Sequence, residues 1–107
     1  MPTADKQKYL GFVRKSAVIF KRHGAEQLAE CWGDDVPEGK LTSFPMAVQC
    51  QSDETVVFSW VRWPSKAACE DGMKKVMTEH QAEFSADSMP FEGKRMIFGG
   101  FEVISEA

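Results

Sequence analysis

Hydrophobic positions from Ala4 to His23 recur at intervals of three and four residues. They are Tyr9, Phe12, Val13, Ala17 and Phe20. Because this spacing places side chains on one face of a helix, the pattern predicts an amphipathic helix over the range. Thr3 is the expected N-cap, and Gly24 is expected to end the helix.

Apolar positions after Pro64 follow a second helical spacing. They are Cys69, Met73, Val76, Met77 and His80. Ser65 is suited to cap this helix, because its hydroxyl can accept a hydrogen bond from an N–H of the first turn, and the helix is expected to reach about Phe84. Gly72 lies inside it and is expected to lower its stability by up to about 1 kcal/mol, unless another backbone packs closely there.

Strand patterns occupy four other stretches. The strongest is Thr55 to Trp63, where β-branched and aromatic residues point to both faces, so we expect a central strand buried on both faces. Glu26 to Trp32 is a shorter candidate that runs into a turn, and Met46 to Gln51 is a weak one. Lys94 to Ile104 is the last candidate, and a pair of glycines inside it indicates a bulge or a close backbone approach.

Two stretches between these elements are typical of loops. Asp34 to Pro45 contains Pro37-Glu38-Gly39, which suits a type II turn with positive φ at the glycine. Ser85 to Gly93 is rich in turn-forming residues. The order of elements (helix, strand, long loop, strand, helix, strand) predicts an α+β fold with two helices on one face of a largely antiparallel sheet.

Length, composition and charge indicate how many domains the chain forms and which classes of partner it can bind. A length of 107 residues with 43% hydrophobic content indicates one domain spanning residues 1–107. The net charge is −3 and the basic residues are scattered, so no basic patch is available for nucleic-acid phosphates. No apolar stretch approaches the roughly 20 residues that span a bilayer, and no apolar signal segment opens the chain, so we expect a cytoplasmic protein that does not bind membranes.

Cysteine and histidine spacing gives no support for a metal site. The three cysteines are far apart and form no paired motif, and the two histidines, His23 and His80, are separated by most of the domain. No Ser-His-Asp order, phosphate-binding loop, dinucleotide fingerprint or HExxH motif appears. We therefore expect free thiols, no metal and no cofactor.

An acidic cluster supplies the first candidate site. Glu30, Asp34, Asp35 and Glu38 lie close in sequence to Trp32. Paired carboxylates act as acid and base where their surroundings separate their pKa values. The alternative is that the aspartates form a turn and accept backbone N–H groups.

Tryptophans and a basic pair supply the other candidates. Trp32, Trp60 and Trp63 suit the wall of a cavity for an aromatic or polyketide-like ligand, although packing in the core is the alternative. Lys94 and Arg95 suit the binding of an anion, or else a salt bridge to the acidic loop. We expect the acidic loop and the Lys94-Arg95 pair to lie close together, because they carry opposite charge and flank strand ends.

Three stretches carry a resemblance to a known family. They are ECWGDDVPEGKLTSFP at Glu30 to Pro45, ETVVFSWVRWPSK at Glu54 to Lys66, and MPFEGKRMIFGGFE at Met89 to Glu102. Together they resemble the YbaA-like domain of unknown function, in the dimeric α+β barrel superfamily. The resemblance implies a ferredoxin-like βαββαβ fold and pairing of two copies through their sheets, and it implies no activity.

The sequence departs from this family at its start. Relatives carry a strand of roughly ten residues ahead of the position of Pro2. In the family's sheet order that strand lies between the last strand and the Thr55 strand. Its absence is therefore expected to leave backbone groups of the sheet unpaired, or to rearrange the sheet.

Two functions fit these features. The first is a small-ligand-binding or interaction module that forms a homodimer, because two helices cover only one face of the sheet while apolar residues supply two faces. Its ligand would be a small organic molecule. The second is a cofactor-independent small-molecule enzyme, monooxygenase-like or isomerase-like, with Asp34, Asp35 or Arg95 in the acid, base or oxyanion-stabilising role, an idea that rests on fold analogy.

Overall fold

The computed structural model describes residues 1–84 and 93–107. Its main elements are helix α1 (Lys6–Arg22), strand β1 (Gln27–Trp32), the short helix α2 (Phe44–Ala47), strand β2 (Val57–Arg62) and helix α3 (Lys66–Glu83). Short 3₁₀ turns occupy Thr3–Asp5 and Gly93–Arg95. The fold is α+β, as the sequence predicts, and this arrangement is compatible with a ferredoxin-like topology.

Strands β1 and β2 form an antiparallel pair, with the register running from Gln27 opposite Arg62 to Trp32 opposite Val57. Residues opposite each other share a face, and successive residues alternate between faces. Tyr9 of α1 contacts both Glu30 and Trp32, so that face is the helix-covered one. The opposite face carries Ala29, Cys31, Phe58 and Trp60, and we call it the open face.

Helix α1 lies against both β1 and α3. The buried apolar side chains are Tyr9, Val13, Ile19, Ala25 and Val76. The sequence pattern missed Ile19 and the buried Ser16, because α1 is covered on two sides and its buried surface is wider than one stripe. Across the described ranges, neither long helix combines the length and the apolar character needed to cross a membrane.

The ends of the two long helices follow local signals in part. The Ser65 hydroxyl accepts the N–H of Ala68 at 3.0 Å, so the predicted cap of α3 is confirmed. Gly24 has a φ of 106°, which confirms its place at the end of α1. The prediction for Thr3 was wrong, because it lies in a 3₁₀ turn where its hydroxyl is 2.7 Å from that of Thr55.

The predicted strand Met46 to Gln51 was also wrong. Ser43 accepts the N–H of Met46 at 3.1 Å, and Pro45 occupies the first turn of the short helix α2. Proline with its fixed φ suits a helix start and cannot donate to a strand ladder. In the loop ahead of α2, Gly39 has a φ of 67°, as the turn prediction required.

The predicted last strand, Lys94 to Ile104, does not form in the described structure. Residues 96–107 contain no helix or strand, and Phe98 is 90% exposed. A segment becomes a strand only when a neighbour pairs with its backbone, and among residues 1–84 and 93–107 no strand pairs with this segment. The turn-rich stretch before Gly93 lies outside the described residues.

The expectation that β2 is buried on both faces was wrong for the chain as described. Phe58 is 52% exposed and Trp60 is 40% exposed. Both side chains point to the open face, which lies away from α1, although Phe44 of α2 contacts Phe58 there. The helix-covered face is better shielded, because Val57 and Val61 are half-buried there whereas Phe58 and Trp60 are exposed.

Trp63 explains the glycine inside α3. A Cβ at Gly72 would lie 2.2 Å from the Trp63 ring and 2.9 Å from the carbonyl oxygen of His23. The same ring contacts Phe20 at 6.3 Å between centroids. The close approach anticipated at Gly72 is therefore made mainly by a side chain, which joins α3 to the end of β2.

We expect Gly72→Ala to destabilise the fold by about 1–3 kcal/mol, because the added methyl group overlaps a packed ring. The matched control is Gly11→Ala, since Gly11 is an exposed residue of α1 and no atom lies within 4 Å of its Cβ position. That change should stabilise the helix by up to about 1 kcal/mol. Urea unfolding of both variants measures the two effects, and equal stabilisation by both would contradict the packing described.

His80 joins the two long helices. Its Nε2 lies 3.0 Å from the Ser16 hydroxyl, and its ring contacts Phe12 and Phe84 with centroids 5.5 and 4.4 Å away. Burial lowers the pKa of His80 and outweighs the opposing effect of Glu83. The neutral imidazole is therefore the form that the folded chain favours.

Titration of His80 should make the folded chain less stable as the pH is lowered. Because the pKa of His80 is lower in the folded chain than the 6.5 of an unfolded histidine, unfolded chains take up the proton first. The free energy of unfolding should decline as the pH falls through 6.5 and level off below the folded pKa. Urea titrations between about pH 7.5 and 5.5 test this against His80→Gln, which does not titrate. An equal decline in the variant would assign the effect to other groups.

Candidate functional site

A shallow groove of about 250 Å³ lies where β1 ends and β2 begins. It is lined by Cys31, Trp32, Gly33, Asp34, Asp35, Val36, Phe44, Val56 and Phe58. We call it the strand-end groove. It brings together three of the predicted site residues, Trp32, Asp34 and Asp35.

Gly33 sets the direction in which the chain leaves the sheet. Its N–H donates to the carbonyl of Val56 at 2.8 Å, and a Cβ at this position would lie only 2.7 Å from that oxygen. Only glycine allows this approach without a shift of the backbone. The turn that follows carries the exposed Asp34 and Asp35 along the groove.

Aromatic side chains form the walls of the groove. Phe44 of α2 meets Phe58 of β2 edge to face, with ring centroids 6.2 Å apart. Trp32 contacts Tyr9 at 6.0 Å, and the Lys6 ammonium lies 5.8 Å from its ring centroid. Trp32 therefore contributes both to the packing of α1 on the sheet and to the groove.

Glu30 does not join the two aspartates. It points to the helix-covered face, where its carboxylate accepts the Tyr9 hydroxyl at 2.8 Å. Burial, together with this hydrogen bond, raises the pKa of Tyr9 well above its usual range. The tyrosine therefore stays neutral, and the Glu30 carboxylate serves the contact between α1 and β1.

The three tryptophans do not line one cavity. Trp63 packs on Gly72 and Phe20, away from the groove. Trp60 lies opposite Ala29 on the open face, two residues beyond Phe58. It extends the apolar surface of the groove along β2 rather than closing it.

Arg95 pairs with a carboxylate that the sequence reasoning missed. Its two Nη atoms lie 2.7 and 2.6 Å from the Glu54 oxygens, and Nη1 also donates to the Gln49 carbonyl at 2.9 Å. The Arg95 hydrogen bonds and the N–H of Gln51 lower the pKa of Glu54 to about 2. Among the described residues, the ion pair of Arg95 is with Glu54 and not with Asp34 or Asp35, and the expected proximity of the acidic loop to the Lys94-Arg95 pair stays a prediction.

The chemistry of the strand-end groove follows from this lining. Its titratable groups are Asp34, Asp35 and the Cys31 thiol, with no histidine, lysine or arginine. The residues that the structure describes contain no cluster of histidine, cysteine and carboxylate side chains that could hold a metal ion. The groove offers aromatic surface and hydrogen-bond acceptors, and Arg95 is not among the residues that line it.

We expect Glu54→Gln to loosen the segment after Gly93, because the Arg95 guanidinium then loses its charged partner. Limited chymotrypsin digestion should cleave near Phe98 about threefold faster or more. Glu102→Gln is the control, since Glu102 is exposed in the same segment and forms no ion pair among the described residues. In the native chain the Arg95–Glu54 ion pair should persist to low pH. Its contribution to the stability of the folded chain is full above pH 4.5 and declines as the pH falls toward about 2, where Glu54 takes up a proton. Unchanged cleavage in the first variant would contradict this anchoring role.

Comparison with known proteins places the chain in a family. Residues 1–93 match the family described as "Protein of unknown function (DUF1428)". The chain is also 45% identical over 104 residues to the "Uncharacterized protein YbaA" of Escherichia coli K12 and of Shigella flexneri, covering 97% of this chain and 89% of each relative. These matches confirm the YbaA-like resemblance of the three sequence stretches. The chain belongs to the DUF1428 family of proteins of unknown function.

Proposed function

We propose that this chain is an interaction module that binds a second copy of itself through the open face. The observation that carries the proposal is the exposure of Phe58 and Trp60 on a sheet whose other face is covered by α1. Large aromatic side chains are less stable exposed to water than buried, because burial of their apolar area is favourable. A second sheet placed face to face would recover it.

The composition of the open face suits contact between identical chains. Its central residues, Ala29, Cys31, Phe58 and Trp60, carry no charge, so a two-fold arrangement opposes no like charges at its centre. Arg62 stands at one end of the same face and is already paired with Glu106. Aromatic residues surrounded by polar ones are typical of the core of a protein interface.

The strand-end groove is continuous with this face, because Phe58 and Cys31 belong to both. A second copy over the open face would cover one side of the groove and make it a deeper cavity. Its aromatic walls and its two carboxylates then suit a small organic ligand with an apolar body and a hydrogen-bond donor or positive charge. This is the form in which the ligand-binding hypothesis fits the structure.

A dimer of this kind is expected at micromolar concentration. Light scattering after size exclusion should give twice the chain mass of 12.0 kDa. Trp60→Lys should shift the mass to that of one chain, because a charge would be buried at the centre of the interface. Val18→Lys is the matched control, since Val18 is exposed on α1 and outside the open face.

A monomer at concentrations up to about 100 μM would overturn the proposal, because an interface of the usual size holds at far lower concentration. Equal masses for the wild type and both variants would also show that the open face is not the contact surface.

A further inference from the structure

The loop between β1 and α2 carries an apolar side chain at its tip. Leu41 is 99% exposed, and every residue from 37 to 42 is exposed with it. A leucine in water lacks the favourable free energy that burial of its apolar area provides. Single exposed leucines are common on protein surfaces, so the role of this one depends on what surrounds it.

A tight reversal of the backbone holds the loop tip in place. Gly39 has a φ of 67°, and a Cβ there would lie 2.3 Å from the carbonyl oxygen of Thr42. Gly39 and Thr42 therefore approach each other closely, and Lys40 and Leu41 form the bend between them. The loop tip, Lys40-Leu41, thus presents a positively charged and an apolar side chain at adjacent positions.

The loop returns to the sheet on the side of the open face. Phe44, three residues after Leu41, contacts Phe58, whose side chain lies on that face. Gly33 and Phe44, which begin and end the loop, both line the strand-end groove. The loop tip and the groove therefore belong to the same end of the sheet, beside the open face.

The strand-end groove has chemistry that complements the loop tip. Its walls are aromatic, and its acidic side chains are the exposed Asp34 and Asp35. Across residues 1–84 and 93–107, neither aspartate forms an ion pair, and neither does Lys40. An apolar side chain beside a cation matches an apolar groove beside two carboxylates.

The size of the groove also favours a side chain as its occupant. Its volume is about 250 Å³, whereas pockets for small molecules usually have roughly 300–1,000 Å³. The chain's own loop tip does not fill it, because Leu41 is exposed and neither tip residue lines the groove. A second copy carries the same tip, and two-fold symmetry makes any contact between tip and groove reciprocal.

We propose that the loop tip of each chain docks into the strand-end groove of a second copy. Leu41 lies between the aromatic walls of the partner's groove, and Lys40 pairs with its carboxylates. This contact rests on the proposed pairing of two chains through their open faces and occurs twice in each dimer. A small ligand with an apolar body and a positive charge has the same chemistry as the tip, so it has to displace the tip before it binds.

Sedimentation equilibrium of the full chain measures the dissociation constant of the dimer and tests the apolar part of the contact. Leu41→Ser should raise this constant by about 30-fold or more, because each dimer loses two buried leucine side chains. Val18→Ser is the matched control, since Val18 is exposed on α1 and lies outside the open face. It should change the constant by less than about threefold. Circular dichroism should show both variants folded, because each residue is exposed in the single chain.

A charge swap tests the ionic part and shows that the contact joins two chains. Lys40→Glu places like charges together, and so does the double variant Asp34→Lys with Asp35→Lys. Each protein alone should dimerise about tenfold more weakly than the wild type or worse, at about 50 mM salt where charges are less screened. An equimolar mixture of the two should dimerise about tenfold more tightly than either alone, because every tip then meets a groove of opposite charge.

The outcomes separate this contact from the dimer on which it rests. A wild-type dimer that Trp60→Lys dissociates, but that Leu41→Ser leaves as tight as Val18→Ser does, would overturn the docking of the loop tip and leave the open-face dimer in place. A mixture no tighter than its two components would overturn it as well. A wild type that stays monomeric up to about 100 μM would overturn both proposals.

Discussion

Across residues 1–84 and 93–107 the structure depends on one constraint: the sheet has two strands, and α1 packs on only one face of them. A two-stranded ribbon is marginal in water, so the folded state relies on contacts between the sheet and α1 and between α1 and α3. Few apolar side chains are fully buried in these contacts, and polar links such as Ser16 to His80 share the interior with them. The same geometry leaves Phe58 and Trp60 of the open face exposed in the part of the chain that the structure describes.

The strand-end groove exists because local features fix its two sides. Gly33 brings the end of β1 against Val56, and the Ser43 cap holds α2 so that Phe44 meets Phe58. The residues that line the groove all fall between Cys31 and Phe58. The groove is therefore part of the hairpin itself, and it can be present before any second copy or ligand arrives.

The sequence was most informative where structure follows from local pattern. The two long helices, β1 and β2 were predicted, because periodicity, caps and β-branched residues act over a few residues. The strand expected after Lys94 was not found, because a strand requires a neighbour that the pattern cannot guarantee. The pairing of Arg95 with Glu54 was also missed, since charge alone does not choose among several carboxylates. By contrast, the signal for α2 was available in Ser43 and Pro45 and was overlooked.

Strand β2 divides two roles between its side chains and its backbone. Trp60 directs its side chain to the open face while its backbone N–H faces β1. Burial of the open face depends on apolar area, whereas pairing with β1 depends on directional hydrogen bonds. A substitution of the Trp60 side chain therefore changes the open face and leaves the backbone pairing of the two strands in place, so that loss of contact with a second copy can be separated from loss of the sheet.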